Sequence, residues 1–294
     1  MTSKWATWTV TEKCGASPKC SYCIQGQESH HSHPPSAVIV QIMDSLEKLQ
    51  GCWQVSLLGG EIFDIDSFGE DLLPYFCSAT SHTISFTSNF LASNTTLSKA
   101  LRKKPSAIQE MRFSFHGELW SDPHIFLWKM DAFIALVSSQ QSPVSIKVAI
   151  PLVPRYFNFI IDQLVPWLKR RQINYFFQLL KIRKKTGIVP FPYPPHQLIT
   201  VHAMLRKLQH ESQVVRINNH FNQYCWGGSR LIAIKPNGDV FACYNFIDAD
   251  DKMGRLGNIC APGFALFNKP IRCTFTDCAC GAAEYSKLIE NKAA

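Results

Sequence analysis

Apolar and polar residues alternate in two rhythms along the first two-thirds of the chain. Residues 5–10 form a short run of aromatic and β-branched side chains and predict a strand, whereas residues 36–50 place Val38, Ile42, Leu46 and Leu49 at helical spacing. The same pairing recurs. Residues 53–58 read as a strand, 65–76 as a helix, 83–87 as a strand, 95–103 as a helix and 111–115 as a strand. Residues 123–138 then carry Phe126, Met130, Phe133 and Val137 on one helical face, and a strand over 145–150, a helix over 157–170 and a strand over 174–180 complete the series. Six strand–helix repeats imply parallel strands joined by right-handed crossovers. The expected fold class is α/β, a partial (β/α)6 barrel rather than a closed eight-fold one.

After Leu180 the rhythm breaks at a basic segment, residues 181–185, and a proline-rich stretch, residues 190–195. A domain boundary is placed here, with residues 1–187 as the barrel and 188–294 as a helix followed by a small Cys-rich unit. The helix is expected over 196–210. Two apolar runs, 230–234 and 240–244, meet through Pro236-Asn237-Gly238, and Asn-Gly between such runs signals a β-hairpin.

Composition adds a compartment and a chemistry. With 294 residues, 46% hydrophobic and 18% charged, the chain falls among ordinary globular proteins and outside the disordered and collagenous classes. No apolar stretch reaches the length of a membrane span, and the N-terminus lacks a signal-peptide pattern, so a cytosolic protein without membrane association is expected. Lys and Arg exceed Asp and Glu by 30 − 22 = +8, partly in runs at residues 102–104, 169–171 and 181–185. Such runs ordinarily solvate a surface, and no arranged basic and aromatic face accompanies them, so a nucleic-acid partner is not expected. The 11 cysteines are more telling: in a reducing compartment, clustered thiols point to metal.

Cys14, Cys20 and Cys23 lie in one loop, TEKCGASPKCSYC, directly after the first expected strand. Loops at the C-terminal ends of strands are where βα proteins collect their chemistry. Three thiolates suit an iron–sulfur cluster with one open iron, while a structural zinc site would want a fourth ligand. Leu57-Leu58-Gly59-Gly60-Glu61 ends the second strand, Thr87-Ser88-Asn89 the third, and Ser114-Phe115-His116-Gly117 the fourth. Each motif alone has a bland reading, a turn or a capping residue. Together, in order and at successive strand ends, they resemble the radical S-adenosylmethionine enzymes.

The resemblance implies a [4Fe–4S] cluster on Cys14, Cys20 and Cys23, with S-adenosylmethionine on its open iron. Tyr22 would lie by the adenine. Gly59 and Gly60 would allow close backbone approach, Glu61 would receive the cofactor's ammonium, Ser88 and Asn89 would make polar contacts, and Ser114 and His116 would face the ribose. Two departures stand out. The first two cysteines are separated by five residues instead of three, and His116 replaces the usual acid.

The hairpin carries Cys225 and then Gly238-x4-Cys243, which is similar to the opening of the SPASM or twitch extension of these enzymes; Leu256-Gly257-Asn258-Ile259 matches a stretch that follows it. The expectation is one auxiliary [4Fe–4S] cluster on Cys225 and Cys243 with two of Cys273, Cys278 and Cys280, zinc at the same ligands being the alternative. Cys260 is isolated. Cys52 and Cys77 are read as small buried hydrophobes. His30, His31 and His33 are read as a solvated loop, and Arg155 as either a cofactor contact or a surface residue.

The implied chemistry is reductive cleavage of S-adenosylmethionine to a 5′-deoxyadenosyl radical that abstracts a substrate hydrogen. An external donor of flavodoxin or ferredoxin type would supply electrons. The first substrate expected is a ribosomally made peptide to be crosslinked, dehydrogenated or epimerised; the alternative is a small molecule such as an aminosugar antibiotic precursor. A non-catalytic zinc protein that binds nucleic acid is the reading from another class. Tyr244, Asp248 and Cys260 lie near the hairpin, but no residue stands out as a second hydrogen donor.

Overall fold

In a computed structural model, residues 4–23, 32–101, 105–140, 144–184, 187–208, 220–249, 254–276 and 289–290 are described. The strands β1 (Lys4–Thr11), β2 (Trp53–Gly59), β3 (Thr83–Ser88), β4 (Ile108–Ser114), β5 (Ser145–Pro151) and β6 (Asn174–Gln178) run parallel, each hydrogen-bonded to the next. Between them lie the helices α1 (Ser36–Leu46), α2 (Leu73–Ala79), α3 (Asn94–Lys99), α4 (His124–Ser139), α5 (Phe157–Phe159) and α6 (Val165–Arg170). The strand–helix alternation therefore forms as expected, and the sheet stays open.

Alternation within each strand decides its two faces. On β4, Met111 and Phe113 are fully buried toward the helices, and Phe113 meets Phe90 and Phe133 at ring-centroid distances of 4.4 and 5.2 Å. Glu110, Arg112 and Ser114 point to the opposite, inner face. Burying each aromatic side chain of the helix-facing layer contributes on the order of 2 kcal/mol.

Several boundaries differ from the expected ones. Helix α1 stops at Leu46, so Leu49 lies beyond it, and Ile39 and Met43 join Ile42 and Leu46 in the core. The segment expected as a helix over 65–76 instead begins with a π-helical turn, Phe68–Leu72, because Pro74 cannot donate back into the preceding turn. A second π-turn, Ile160–Leu164, precedes Pro166 in the same way. The basic segment after Leu180 is not a linker. β7 (Lys181–Lys184) and β8 (Gly187–Pro190) pair as an antiparallel hairpin, followed by α7 (Pro195–Leu208).

The C-terminal hairpin forms where Asn237-Gly238 predicts it. After β9 (Tyr224–Cys225), β10 (Leu231–Ile234) and β11 (Asp239–Phe241) pair antiparallel, and Gly238 supplies the positive φ of 85°. They are not a detached unit. β10 runs parallel to β1, with Trp5 opposite Leu231, so the main sheet crosses the boundary placed at 187/188. Helix α8 (Tyr244–Ala249) and β12 (Arg255–Asn258) follow, and β12 completes nine strands in the order β12-β11-β10-β1-β2-β3-β4-β5-β6. Two short strands, β13 (Ile271–Arg272) and β14 (Ile289–Glu290), flank β9 in a separate sheet.

Cys77 is fully buried, but Cys52 is exposed at the start of β2, which corrects its reading as a core residue. Access to the thiolate governs reactivity. In the native protein a thiol reagent such as Ellman's is expected to modify Cys52 within minutes and to spare Cys77; Cys52→Ser, compared with wild type by intact mass, checks the assignment.

Candidate active site

All four strand-end motifs converge at the C-terminal ends of β1 to β4, and the cluster loop, residues 12–23, is stitched to the other three. The stitching to β2 is backbone to backbone: Gly60 N–H donates to Thr11 O at 2.8 Å and Glu61 N–H to Lys13 O at 2.9 Å. A methyl group on Gly60 would sit 1.9 Å from Lys13 O, and one on Gly59 would sit 2.2 Å from Thr11 O. Only glycine permits this approach. The two glycines thus act first on the cluster loop itself.

Glu61 points inward and is buried. Its Oε1 accepts from Phe63 N–H at 3.1 Å, and its Oε2 accepts from the Ser88 hydroxyl at 3.1 Å and Asn89 N–H at 2.6 Å. One carboxylate therefore ties the end of β2 to the end of β3. Burial outweighs these bonds and pushes its pKa up to about 7, with Asp64 adding a like-charge contribution. An ionised carboxylate has about four acceptor positions, so roughly one on Oε1 is left for a ligand. Asn89 reaches onward, its Nδ2 donating to Cys14 Sγ at 3.8 Å.

The second half of the loop is held by the turn after β4. Glu118 takes Ser21 in a fork: Ser21 N–H donates to Oε2 at 2.7 Å and the Ser21 hydroxyl to Oε1 at 2.8 Å. Tyr22, buried between the last two cysteines, lies 2.7 Å from His116 Nδ1 through its hydroxyl and stacks on the imidazole at 5.8 Å. Burial pushes His116 down to about 4 and raises Tyr22, so the imidazole is neutral and the phenol protonated near neutral pH. The histidine in place of the usual acid is therefore occupied with Tyr22. Ser114 is buried at the end of β4.

Asp64 completes the loop's anchorage, accepting from Gly15 N–H through Oδ2 at 2.6 Å. Asp64 and Glu118 were missed by sequence reasoning, because single acids in turns carry no periodic signal and their partners lie 49 and 97 residues away. If Glu118 anchors the loop, Glu118→Ala is expected to raise hydrogen exchange at the Ser21 amide about 10-fold in the metal-free protein, the equivalent of roughly 1.4 kcal/mol. Peptide-resolved exchange over residues 14–23 reads it.

The donor set fits an iron–sulfur cluster. Burial and the neighbouring Cys23, Glu118 and Cys14 push the Cys20 thiol up to about 12, and burial raises Cys14 as well. Two neighbouring thiols that resist ionisation gain from a cationic partner. Among the described residues no three His, Cys, Asp or Glu side chains converge on a point as a single ion requires. A cubane does not require it, since its thiolates bind separate irons.

Farther down the chain, Cys225 and Cys243 both pack on Leu231 with Trp5 and Trp226. Cys273 is brought to β9 by reciprocal backbone bonds, its N–H donating to Gln223 O and Asn222 N–H donating to its carbonyl, both at 2.8 Å. The expected partners Cys278 and Cys280 lie outside the described residues, as do His30 and His31. Cys260 packs against the main core instead. His33 is half-buried, with Nδ1 3.1 Å from the Thr11 hydroxyl, and Arg155 is exposed over the Tyr156 ring.

No family model and no curated protein matches the chain. Solved structures do. Streptococcus suis SuiB bound to S-adenosylmethionine is similar over 89% of this chain and 64% of its own, with a TM-score of 0.60 and 14% identity. SuiB bound to precursor peptide SuiA matches over 85% and 61%, at 0.56 and 16%. The protein anSMEcpe with bound AdoMet and Cp18Cys peptide matches over 88% and 78%, at 0.57 and 14%. The chain spans less than two thirds of the length of SuiB. These are radical S-adenosylmethionine enzymes, and their fold is the fold of this chain.

Proposed function

We propose that the protein reductively cleaves S-adenosylmethionine to methionine and a 5′-deoxyadenosyl radical, which abstracts hydrogen from a ribosomally made peptide. One observation carries this reading: the three-cysteine loop is bound edge to edge with Gly60-Glu61, Asn89 and the His116–Glu118 turn, the four places at which the resemblance puts cofactor contacts. Cys14, Cys20 and Cys23 would hold a [4Fe–4S] cluster. The cluster, when bound, supplies the electron for the cleavage and an iron site for the methionine part.

The chain's own residues position and shield. Glu61, left with one acceptor position and disfavoured as an anion by burial, gains from a neighbouring ammonium. Tyr22, fixed by His116, presents its ring beside the cysteines for an adenine. Ser88 and Asn89 are already bonded to Glu61, so their role is to hold that carboxylate as much as to touch the cofactor. Ser114 and His116 border the place for the ribose.

Cys225, Cys243 and Cys273, gathered around β9 and Leu231, support an auxiliary cluster completed by Cys278 or Cys280. The peptide substrate is supported by the peptide complexes of SuiB and anSMEcpe, which share the fold. A cytosolic setting with a flavodoxin- or ferredoxin-type donor belongs to the same reading; no helix among the described residues is long and apolar enough to cross a membrane.

The test is anaerobic reconstitution with iron and sulfide, reduction with dithionite, addition of S-adenosylmethionine and chromatography for 5′-deoxyadenosine. Formation by wild type and loss in the Cys14, Cys20 and Cys23 triple Ala variant is expected. An iron-loaded wild type that forms no nucleoside, or a protein that takes zinc alone, overturns the reading.

A further inference from the structure

The inner face of the sheet, below the cluster loop, is charged where a barrel interior is ordinarily filled with branched apolar side chains. Glu110 and Arg112 of β4 and Lys147 of β5 share that face. Arg112 pairs directly with Glu110, and Lys147 Nζ stands 3.9 Å from the other carboxylate oxygen. Both cations lie over the ring of Phe176 from β6, at 5.6 and 5.3 Å. The strand register sets Lys147 beside Arg112 and Thr87 on its other side, while Ser85 sits beside Glu110.

Three polar atoms in this layer are buried with no hydrogen-bond partner: Ser85 Oγ, Thr87 Oγ1 and Arg112 Nε. Buried donors left unpaired cost on the order of 1–3 kcal/mol each, so their clustering on adjacent strands marks a place that a polar ligand completes. The three charged side chains remain about one-fifth exposed, which leaves the layer open to such a ligand. The charge count says which. Two cations and one anion leave a net +1, which one carboxylate balances and a phosphate dianion does not.

Position connects this layer to the reaction. Arg112 lies two residues before Ser114, roughly 7 Å below the strand ends at about 3.3 Å per residue. Cys225 and Cys243 pack against Leu231, as does Trp5 at the start of β1. The charged layer therefore lies on the inner face, below the strand ends that carry the cluster loop.

We propose that Arg112 and Lys147, backed by Phe176 and the hydroxyls of Ser85 and Thr87, form a subsite that binds a carboxylate of the substrate. This inference rests on the radical-enzyme reading for its meaning but not for its test. Glu110 occupies part of the guanidinium in the empty site, and the substrate carboxylate takes the remaining donors, Arg112 Nε among them.

The experiment uses the full-length, cluster-reconstituted protein and saturation-transfer NMR with three probes. N-acetylglutamate α-methylamide offers a side-chain carboxylate, N-acetylglycine a terminal one, and N-acetylglutamine α-methylamide is the neutral control. Expected is binding of at least one carboxylate, the tighter of the two identifying the source, with Kd raised about 10-fold or more in Arg112→Gln and in Lys147→Gln, as loss of a charged hydrogen bond implies. Glu110→Gln is expected to tighten binding, because it releases Arg112. A merely structural ion pair predicts the opposite sign for that variant.

The proposal is overturned if neither carboxylate binds, if the neutral control binds as well, or if Glu110→Gln weakens binding. It is also overturned if Arg112→Gln lowers affinity for S-adenosylmethionine, which would give the arginine to the cofactor. Should Arg112→Gln fail to fold, Glu110→Gln and Lys147→Gln decide. None of these readings depends on 5′-deoxyadenosine, so a failed cleavage assay and a failed subsite are separate results.

Discussion

Gly60→Ala is expected to disable the protein without touching a cysteine. The new methyl would stand 1.9 Å from Lys13 O and 2.8 Å from the backbone nitrogen of Cys14, so the cluster loop must leave β2. Neither side can yield cheaply, since both are backbone. The bonds from Gly60 N–H and Glu61 N–H to Thr11 and Lys13 would go with it. A loss of about 3 kcal/mol is a reasonable scale for two buried bonds and the strain, which lowers Tm by about 5 °C for a chain of this size. Nucleoside formation by the reconstituted variant should fall about 100-fold or more, the usual consequence of misplacing a reacting group by roughly 1 Å. Wild-type iron content with wild-type turnover would show that the loop does not need this contact.

Glu61 gives the second large effect, and its sign depends on pH. Glu61→Ala leaves Phe63 N–H, Asn89 N–H and the Ser88 hydroxyl without an acceptor, at about 1–3 kcal/mol each before relief of the buried charge. A net loss near 4 kcal/mol, or a Tm lower by about 6 °C, is expected from differential scanning calorimetry of the metal-free variant. Glu61→Gln keeps the shape and one acceptor, and should lose about 1 kcal/mol. The carboxyl's pKa rises from its ordinary 4.5 to about 7 on folding. The folded protein thus holds that proton more tightly than the unfolded chain, so the contribution is complete below about pH 4.5 and fades as pH climbs through about 7, by up to roughly 3 kcal/mol. Wild type should therefore exceed Glu61→Gln in stability near pH 5 and lose that lead near pH 8. A gap that widened with pH would show the carboxylate to be ionised and well solvated by its donors.

The parallel strands were legible because each is buried on at least its helix-facing side, so that Ile84 and Phe86, or Met111 and Phe113, announce themselves in a run. Their boundaries moved by one to three residues. The strand-end motifs were legible for the same reason: Gly59-Gly60-Glu61 follows a strong strand. What escaped was long-range. Nothing local about Asp64 or Glu118 says that each grips a backbone amide of the cluster loop. Lys181, Arg183 and Lys184 look like a solvated loop, and only pairing across to 187–190 makes them a strand. Cys52 and Cys77 are single cysteines with no surrounding pattern, and the structure alone separates an exposed thiol from a buried one. The charged layer of Glu110, Arg112 and Lys147 was invisible as a unit, since its members come from two strands and their common face exists only after the register is set.

The place of β1 in the sheet has a consequence for synthesis. Its two neighbours are β2, about 45 residues away, and β10, which begins at Leu231. While the ribosome makes everything in between, one edge of the first strand, Trp5 to Trp8, has its eventual partner not yet made, and unpaired edges are templates for association with other chains. Closing that gap late raises the contact order and slows the final step. The nascent protein thus spends most of its translation with an adhesive margin on view, and a chain halted before the hairpin would be a substrate for holdase chaperones and a seed for aggregation.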